Sequence, residues 1–106
     1  MPTSLTLDTA RGNDGGFVLS AAGEIDLSNV DAFDRALTTA ANEAAGRDQK
    51  LTVDLSAVEY LDSAAINALF NQADHIHLIA HPLLMSILSM CGLTELVTTE
   101  PAPAGH

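Results

Sequence analysis

The chain has 106 residues, fourteen Asp and Glu against four Lys and Arg, a net charge of −10, and 47% apolar residues of which few are aromatic. That length fits one domain with a single core of Leu, Val, Ile and Ala, and leaves no chain for a second folded unit. The apolar content excludes global disorder, and the scarcity of cations argues against nucleic acid and anionic membranes as partners, whereas a protein with a basic face fits the charge.

Cys91 is the single cysteine, so neither an internal disulfide nor a thiolate zinc cluster is available. The opening "MPTSLTLDTARGND" lacks the basic and apolar regions of a signal peptide. No apolar run reaches the roughly 18–20 residues of a membrane span. A soluble, cytoplasmic protein with no membrane insertion is expected.

"SLTLDT" (4–9) alternates and predicts a strand, "RGNDGG" (11–16) a turn, and "FVLSAAG" (17–23) a second strand, which together make an antiparallel hairpin. The spacing of Val30, Phe33, Leu37, Ala40, Ala41 and Ala44 predicts an amphipathic helix over 29–45. Ser28 reads as its N-cap, with Asp31 at capping-box spacing and Gly46 as the C′ stop. "KLTVDLSAV" (50–58) alternates as a strand, and a shorter helix follows from about Ser63 to Gln72 or Ala73. "HIHLIA" (75–80) reads as a strand. His81-Pro82 opens a third helix, with an apolar stripe of Leu83, Leu84, Ile87 and Leu88 and an end at Gly92. "TELVTT" reads as a last strand and "EPAPAGH" as a tail, disordered over 101–106. The order ββαβαβα, with a terminal β, predicts a single α/β domain over 1–100. Its sheet is mixed, an N-terminal hairpin beside parallel strands, with the helices packed mainly on one face.

The stretch with most chemical promise is "EYLDSAAINALF" (59–70). A serine at a helix N-terminus satisfies unpaired amide donors, worth roughly 0.5–2 kcal/mol against alanine. Asp62 caps equally well, so a cap does not require both Asp62 and Ser63. A phosphate at Ser63 would meet free N–H groups and the positive end of the helix dipole, so the spacing permits a phosphoserine without demonstrating one. His75 and His77 would share a strand face near His81, yet no Cys, Asp or Glu completes a metal set, and solvated histidines are the better reading. Asp54, Glu59, Asp62 and Asp74 read as an acidic rim rather than an acid/base pair or magnesium site, with no phosphate loop, no histidine beside Ser63 and no G-x-S-x-G. No cofactor is expected. Met85, Met90 and Cys91 read as core filler.

"GEIDLSNVDAF" (23–33) and "VDLSAVEYLDSAAINAL" (53–69) resemble the STAS family, the anti-sigma-factor antagonists, and "HPLLMSILSMCGLTELV" resembles that family's closing helix. The resemblance implies a STAS-like fold, with Ser63 as the phosphoacceptor and Asp26 in the loop beside it. It implies a partner-binding face of Asp26, Ser28, Asp62, Ser63, Ala64 and Ala65. Its implied partners are an anti-sigma factor, often a GHKL-type serine kinase, and a PP2C-type phosphatase that restores binding. The chain departs from the family pattern at Ala64-Ala65, where Ser/Thr-Gly is usual. A glycine there lets a partner's backbone approach closely, and Ala65 adds a methyl group and stiffens the helix. The segment from "INALFNQ" to "HIHLIA" is also shorter than usual, by about two helical turns. Three readings follow. The first is an anti-sigma-factor antagonist switched at Ser63. The second is a constitutive STAS subunit of a larger assembly, such as a lipid-transport ABC complex or a stress complex. The third is an enzyme with an acidic site, disfavoured because no nucleophile–base pair can be assembled.

Overall fold

A computed structural model describes residues 4–11 and 16–102. The strands are β1 (Leu5–Arg11), β2 (Phe17–Ile25), β3 (Leu51–Leu61), β4 (Ile76–Ala80) and β5 (Thr99–Pro101); the helices are α1 (Val30–Ala45), α2 (Ser63–Asn71), α3 (Pro82–Met90) and α4 (Leu93–Leu96). The sheet runs β1-β2-β3-β4-β5, with β1 antiparallel to β2 and the remaining pairs parallel. This is the expected single α/β domain with a mixed sheet.

Alternation along the strands separates a dry face from a wetter one. Leu51, Val53 and Leu55 of β3 are fully buried, as are Leu19 of β2 and Leu78 of β4, while Thr52, Asp54 and Ser56 are only partly covered. Phe33, Leu37, Ala40, Ala41 and Ala44 of α1 pack on the dry face, at the spacing the sequence predicts. On α2 the buried set is Ala65, Ile66, Ala68 and Leu69, and on α3 it is Leu84 and Leu88. His81 caps α3 through Nδ1, which accepts from the Leu83 N–H at 3.0 Å, and Pro82 occupies the first helical turn.

Three features differ from expectation, each for a local reason. First, β3 runs to Leu61 rather than 58. Its register with β2 shifts between Ser20 and Ala22 and again between Gly23 and Glu24, so β3 carries extra residues and its buried positions jump from Leu55 to Val58 to Leu61. A strict period of two therefore loses the strand halfway. Second, α1 ends at Ala45 as expected, but Gly46 keeps φ and ψ of −63° and −13° and is not the left-handed stop. The chain reverses at Asp48, with φ of +57°. The Asp48 N–H donates to the Ala45 carbonyl (3.0 Å) and the Gln49 N–H to the Ala44 carbonyl (2.9 Å), the Schellman pattern. Third, "TELVTT" is no strand at its start. Leu93 and Val97 bury the same side at helical spacing, and the Val97 N–H donates to the Leu93 carbonyl at 3.0 Å. Only Thr99–Pro101 pairs with β4, and the Ala102 N–H donates to the Ala80 carbonyl at 2.8 Å. Pro101 and Ala102, placed in the tail by the sequence, thus join the fold. Residues 103–106, and residues 12–15 of the expected turn, lie outside the described residues.

Gly23 holds the end of β2 in place. Its φ is +105°, and a Cβ there would sit 2.3 Å from the Ser4 carbonyl oxygen, which also accepts from the Glu24 N–H at 3.0 Å. Gly23→Ala is therefore expected to cost more than about 2 kcal/mol. Gly46→Ala, where a Cβ meets only ordinary contacts at 3.5 Å, should stabilise by about 0.4–1 kcal/mol. Urea unfolding of both variants checks this, and equal effects would refute the distinction.

Candidate functional site

The two segments singled out by the sequence meet at one edge of the sheet. Ile25 pairs with Leu61, and the Asp62 N–H donates to the Ile25 carbonyl at 3.1 Å. The parallel strands β2 and β3 thus finish level. Asp26 and Asp62, the next residues of each, lie side by side where roughly one strand spacing of 4.8 Å separates the backbones.

The turn after β2 is tightly fixed. Asp26 Oδ1 accepts from the Ser28 N–H (2.9 Å) and from Ser28 Oγ (2.6 Å). Asn29 Oδ1 accepts from the Asp26 N–H (3.0 Å), and Asn29 Nδ2 donates to the Glu24 carbonyl (2.9 Å). Ser28 is therefore not the N-cap of α1. Asn29 holds that position with its side chain turned back toward β2, and no side-chain hydrogen bond caps the helix. The competition is local: an Asx turn satisfies Ser28 and Asp26 with each other before the helix begins. Leu27, at the tip, is 79% exposed.

The same tripeptide recurs in β3. Asp54 Oδ1 accepts from the Ser56 N–H, also at 2.9 Å, at the first register shift with β2. One Asp-Leu-Ser ends a strand and the other bends one. Asp54 consequently has a structural occupation on the partly open face of the sheet.

The start of α2 separates two roles the sequence could not. Asp62 is the N-cap, in extended conformation, and its Oδ1 accepts from the Ala65 N–H at 3.0 Å. Ser63 is the first helical residue and is exposed. Its hydroxyl is not required for capping. The site also holds the free N–H groups and positive dipole end of a helix N-terminus. Ala64 is half-buried and lines a groove of about 190 Å³ between α1 and α2, with Val30, Asp31, Asp34, Asn67 and Asn71. Ala65 is different: it is fully buried, so its methyl group enters the core and is not presented to a partner. The expected partner-binding face loses Ala65 on that ground.

Acidic and apolar groups share this edge. Glu24 pairs in register with Tyr60, which is 49% exposed, and Glu59 lines a hollow with Val58, His81, Leu83 and Leu84. Leu27 in the turn after β2, Tyr60 near the end of β3 and Leu83 in the first turn of α3 thus stand exposed. Sequence reasoning missed them, because a leucine in a turn or on a helix reads as core until the packing is known. The cations lie elsewhere: Arg11 and Arg47 sit over the Phe17 ring at 5.3 and 5.4 Å, at the opposite end of β2, and Arg35 lies with Thr9 and Glu43 on the flank of α1. His75 falls in a 3-10 turn (Ala73–His75) rather than on β4, and His77 Nε2 lies 3.7 Å from Glu100 Oε1. Among the described residues no three His, Cys, Asp or Glu gather to hold a metal ion, and no helix is long and apolar enough to cross a membrane.

Residues 9–98 match the family described as "Mlab, STAS domain". No curated protein matches the chain by sequence. The fold is similar to the crystal structure of an anti-sigma factor antagonist from Mycobacterium paratuberculosis, with a TM-score of 0.81 and 25% identity over 93% of this chain and 87% of that one. It is also similar to the anti-sigma factor antagonist SpoIIAA in its unphosphorylated form, with a TM-score of 0.68 and 13% identity over 93% of this chain and 90% of that one. A Thermotoga maritima protein, provisionally assigned as an anti-sigma factor antagonist, gives 0.69 and 17% over 92% and 87%. At those identities the latter two establish the fold alone.

The division of labour at the head of α2 has a direct consequence. Asp62→Ala should cost about 0.5–2 kcal/mol by removing the cap, whereas Ser63→Ala should cost less than about 0.5 kcal/mol as an exposed substitution. Thermal and urea unfolding read both, and a larger loss for Ser63→Ala would place its hydroxyl in the cap instead.

Proposed function

The chain belongs to the STAS domain family, and on that premise we propose that it is an anti-sigma factor antagonist, a cytoplasmic protein that binds an anti-sigma factor and so releases a sigma factor. Ser63 is its switch. The observation that carries this reading is the pair Asp62 and Ser63: the aspartate caps α2 and leaves the neighbouring hydroxyl exposed and uncommitted. The protein acts by binding and contributes no catalytic machinery. Asp26, Ser28, Asp62, Ser63 and Ala64 form the docking face, with the exposed Leu27 among them.

The partner is an anti-sigma factor of the GHKL serine-kinase type. It transfers the γ-phosphoryl group of ATP to Ser63 Oγ: the new P–O bond forms as the bond to ADP breaks, and the hydroxyl proton leaves. A PP2C-type phosphatase hydrolyses the ester and restores binding. Phosphorylation adds about −1.5 to −2 charges, beside Asp62 and one strand away from Asp26. Within the free protein the head of α2 stabilises that charge. In a desolvated interface the same charge joins two carboxylates, and each ~1.4 kcal/mol of lost binding is a tenfold loss in affinity.

A second reading, a constitutive subunit of a larger assembly such as a lipid-transport ABC complex, draws support from Ala64 and Ala65 and from the Mlab type of the matching family. Incubation with ATP and candidate anti-sigma kinases, followed by mass spectrometric mapping, separates the two. The switch reading expects phosphate on Ser63 and none in Ser63→Ala. It also expects Ser63→Glu to weaken anti-sigma binding at least about tenfold in titration calorimetry, with little change in melting temperature. Capture of a transporter ATPase with no phosphate on Ser63 favours the second reading.

A further inference from the structure

Helix α3 is apolar on two sides, and only one of them is used by the core. Leu84 and Leu88 are buried against the sheet, while Leu83 (78% exposed), Ile87 (42%) and Met90 (88%) form a second stripe at i, i+4 and i+7. Leu96 of α4 adds a fourth exposed side chain at 61%. A helix apolar all round is ordinarily buried on both sides, and a contiguous patch of this kind marks an interaction surface.

Charge identifies what covers it. From His75 to Thr94 the chain has no Asp, Glu, Lys or Arg, the longest such stretch in a protein of net charge −10. A partner recruited by charge complementarity would find nothing to read here. A second copy of this chain faces the reverse problem: elsewhere, a two-fold contact brings carboxylates onto carboxylates. The outer face of α1 carries Asp31, Asp34 and Glu43 against the single Arg35, and the partly open face of the sheet carries Asp54 with Asp8 and Glu100 in register across it. The outer face of α3 carries no carboxylate of its own, and the nearest, Glu59 beside Leu83 and Glu95 beside Leu96, lie at the ends of the patch, so two such acidic molecules meet there at the least cost.

We propose that the protein forms a two-fold symmetric dimer through the outer faces of its α3 helices. Antiparallel packing centred on Ile87 sets Leu83 of one copy against Met90 of the other and Ile87 against itself, the isologous arrangement a two-fold axis requires. A hollow lined by Met85, Ser86, Ser89, Met90 and Thr94 runs beside the ridge, so each copy offers both a ridge and a recess. Four side chains this exposed, counted in both copies, remove on the order of 1,000 Å² from water, the threshold of a specific interface. The proposed axis at Ile87 lies on α3 and Ser63 on α2, and only Leu83, at one end of the stripe, also borders the acidic edge.

Sedimentation equilibrium over a concentration series, to the millimolar range, tests this. The wild type should be dimeric in the micromolar range. Ile87→Glu, which sets two like charges on the axis, and Met90→Glu should each weaken association at least a hundredfold. Their far-UV circular dichroism should be unchanged, because these side chains lie outside the core. Ile87→Cys in a Cys91→Ser background should form an intermolecular disulfide on mild oxidation, and Leu27→Cys in the same background should not. A wild type monomeric across the series, including one whose α3 face takes a different protein, overturns the proposal. So does a dimer that survives Ile87→Glu.

Discussion

The level finish of β2 and β3 is the constraint on which the rest of this molecule depends. Two chain segments nearly forty residues apart carry the chemistry, and neither has meaning alone. The Ile25–Leu61 pair and the hydrogen bond from the Asp62 N–H to the Ile25 carbonyl bring them to one edge. Reaching that alignment takes two register shifts, because β3 must accommodate more residues than β2 over the same length. Each shift has a local support. At the first, Asp54 holds the Ser56 N–H. At the second, Gly23 adopts a positive φ that brings its backbone against Ser4, the residue before β1. A conformational choice in a strand thus fixes the geometry of a surface more than one turn away.

The chain also sorts its charges. Carboxylates that serve the backbone sit at turns: Asp26 in its Asx turn, Asp54 at the bulge, and Asp62 as the cap of α2. Asp26 and Asp62 shape the acidic edge, Asp54 the open face of the sheet, and each satisfies N–H groups that would otherwise be unpaired. The cations near Phe17 stay at the far end, where Arg11 and Arg47 lie over its ring. The acidic edge is therefore not an accident of composition. Helix and turn termini demand short acceptors there, and their charges gather at one edge once the termini converge.

Helix identity was legible because burial at i, i+3 and i+4 is a strong pattern. Phe33, Leu37, Ala40 and Ala44 announce α1, and His81, Pro82 and Gly92 bracket α3. The Asp62-Ser63 pair was legible as a helix start, and motif resemblance joined it to Asp26. What escaped was whatever depends on partners distant in sequence. The second half of β3 breaks alternation because its neighbour β2 dictates the bulges. Ser28 looks like a cap until Asp26 claims it. Asp48 takes the left-handed position although Gly46 is the residue suited to it, because the hydrogen bonds that close the helix end come from the Asp48 and Gln49 N–H groups. Leu83 reads as part of the apolar stripe and Met90 as core filler, and only the packing reveals that both are exposed.

The alanines after Ser63 illustrate how burial changes the meaning of a departure from a motif. From the sequence, Ala65 in place of glycine adds a methyl group where a partner's backbone approaches. In the fold that methyl is fully buried, and the Ala65 N–H is held by Asp62. The substitution thus acts on the inside: it fills core volume and favours the helix by up to about 1 kcal/mol over glycine. The partner's side of α2 is left to Ser63 and Ala64. A stiffer first turn holds the hydroxyl at a fixed position beside Asp26 and Asp62, which suits recognition by docking and suits equally the placement of a phosphate among carboxylates. The departure therefore leaves the exposed serine and its acidic neighbours intact, and moves the difference from the surface to the rigidity beneath it.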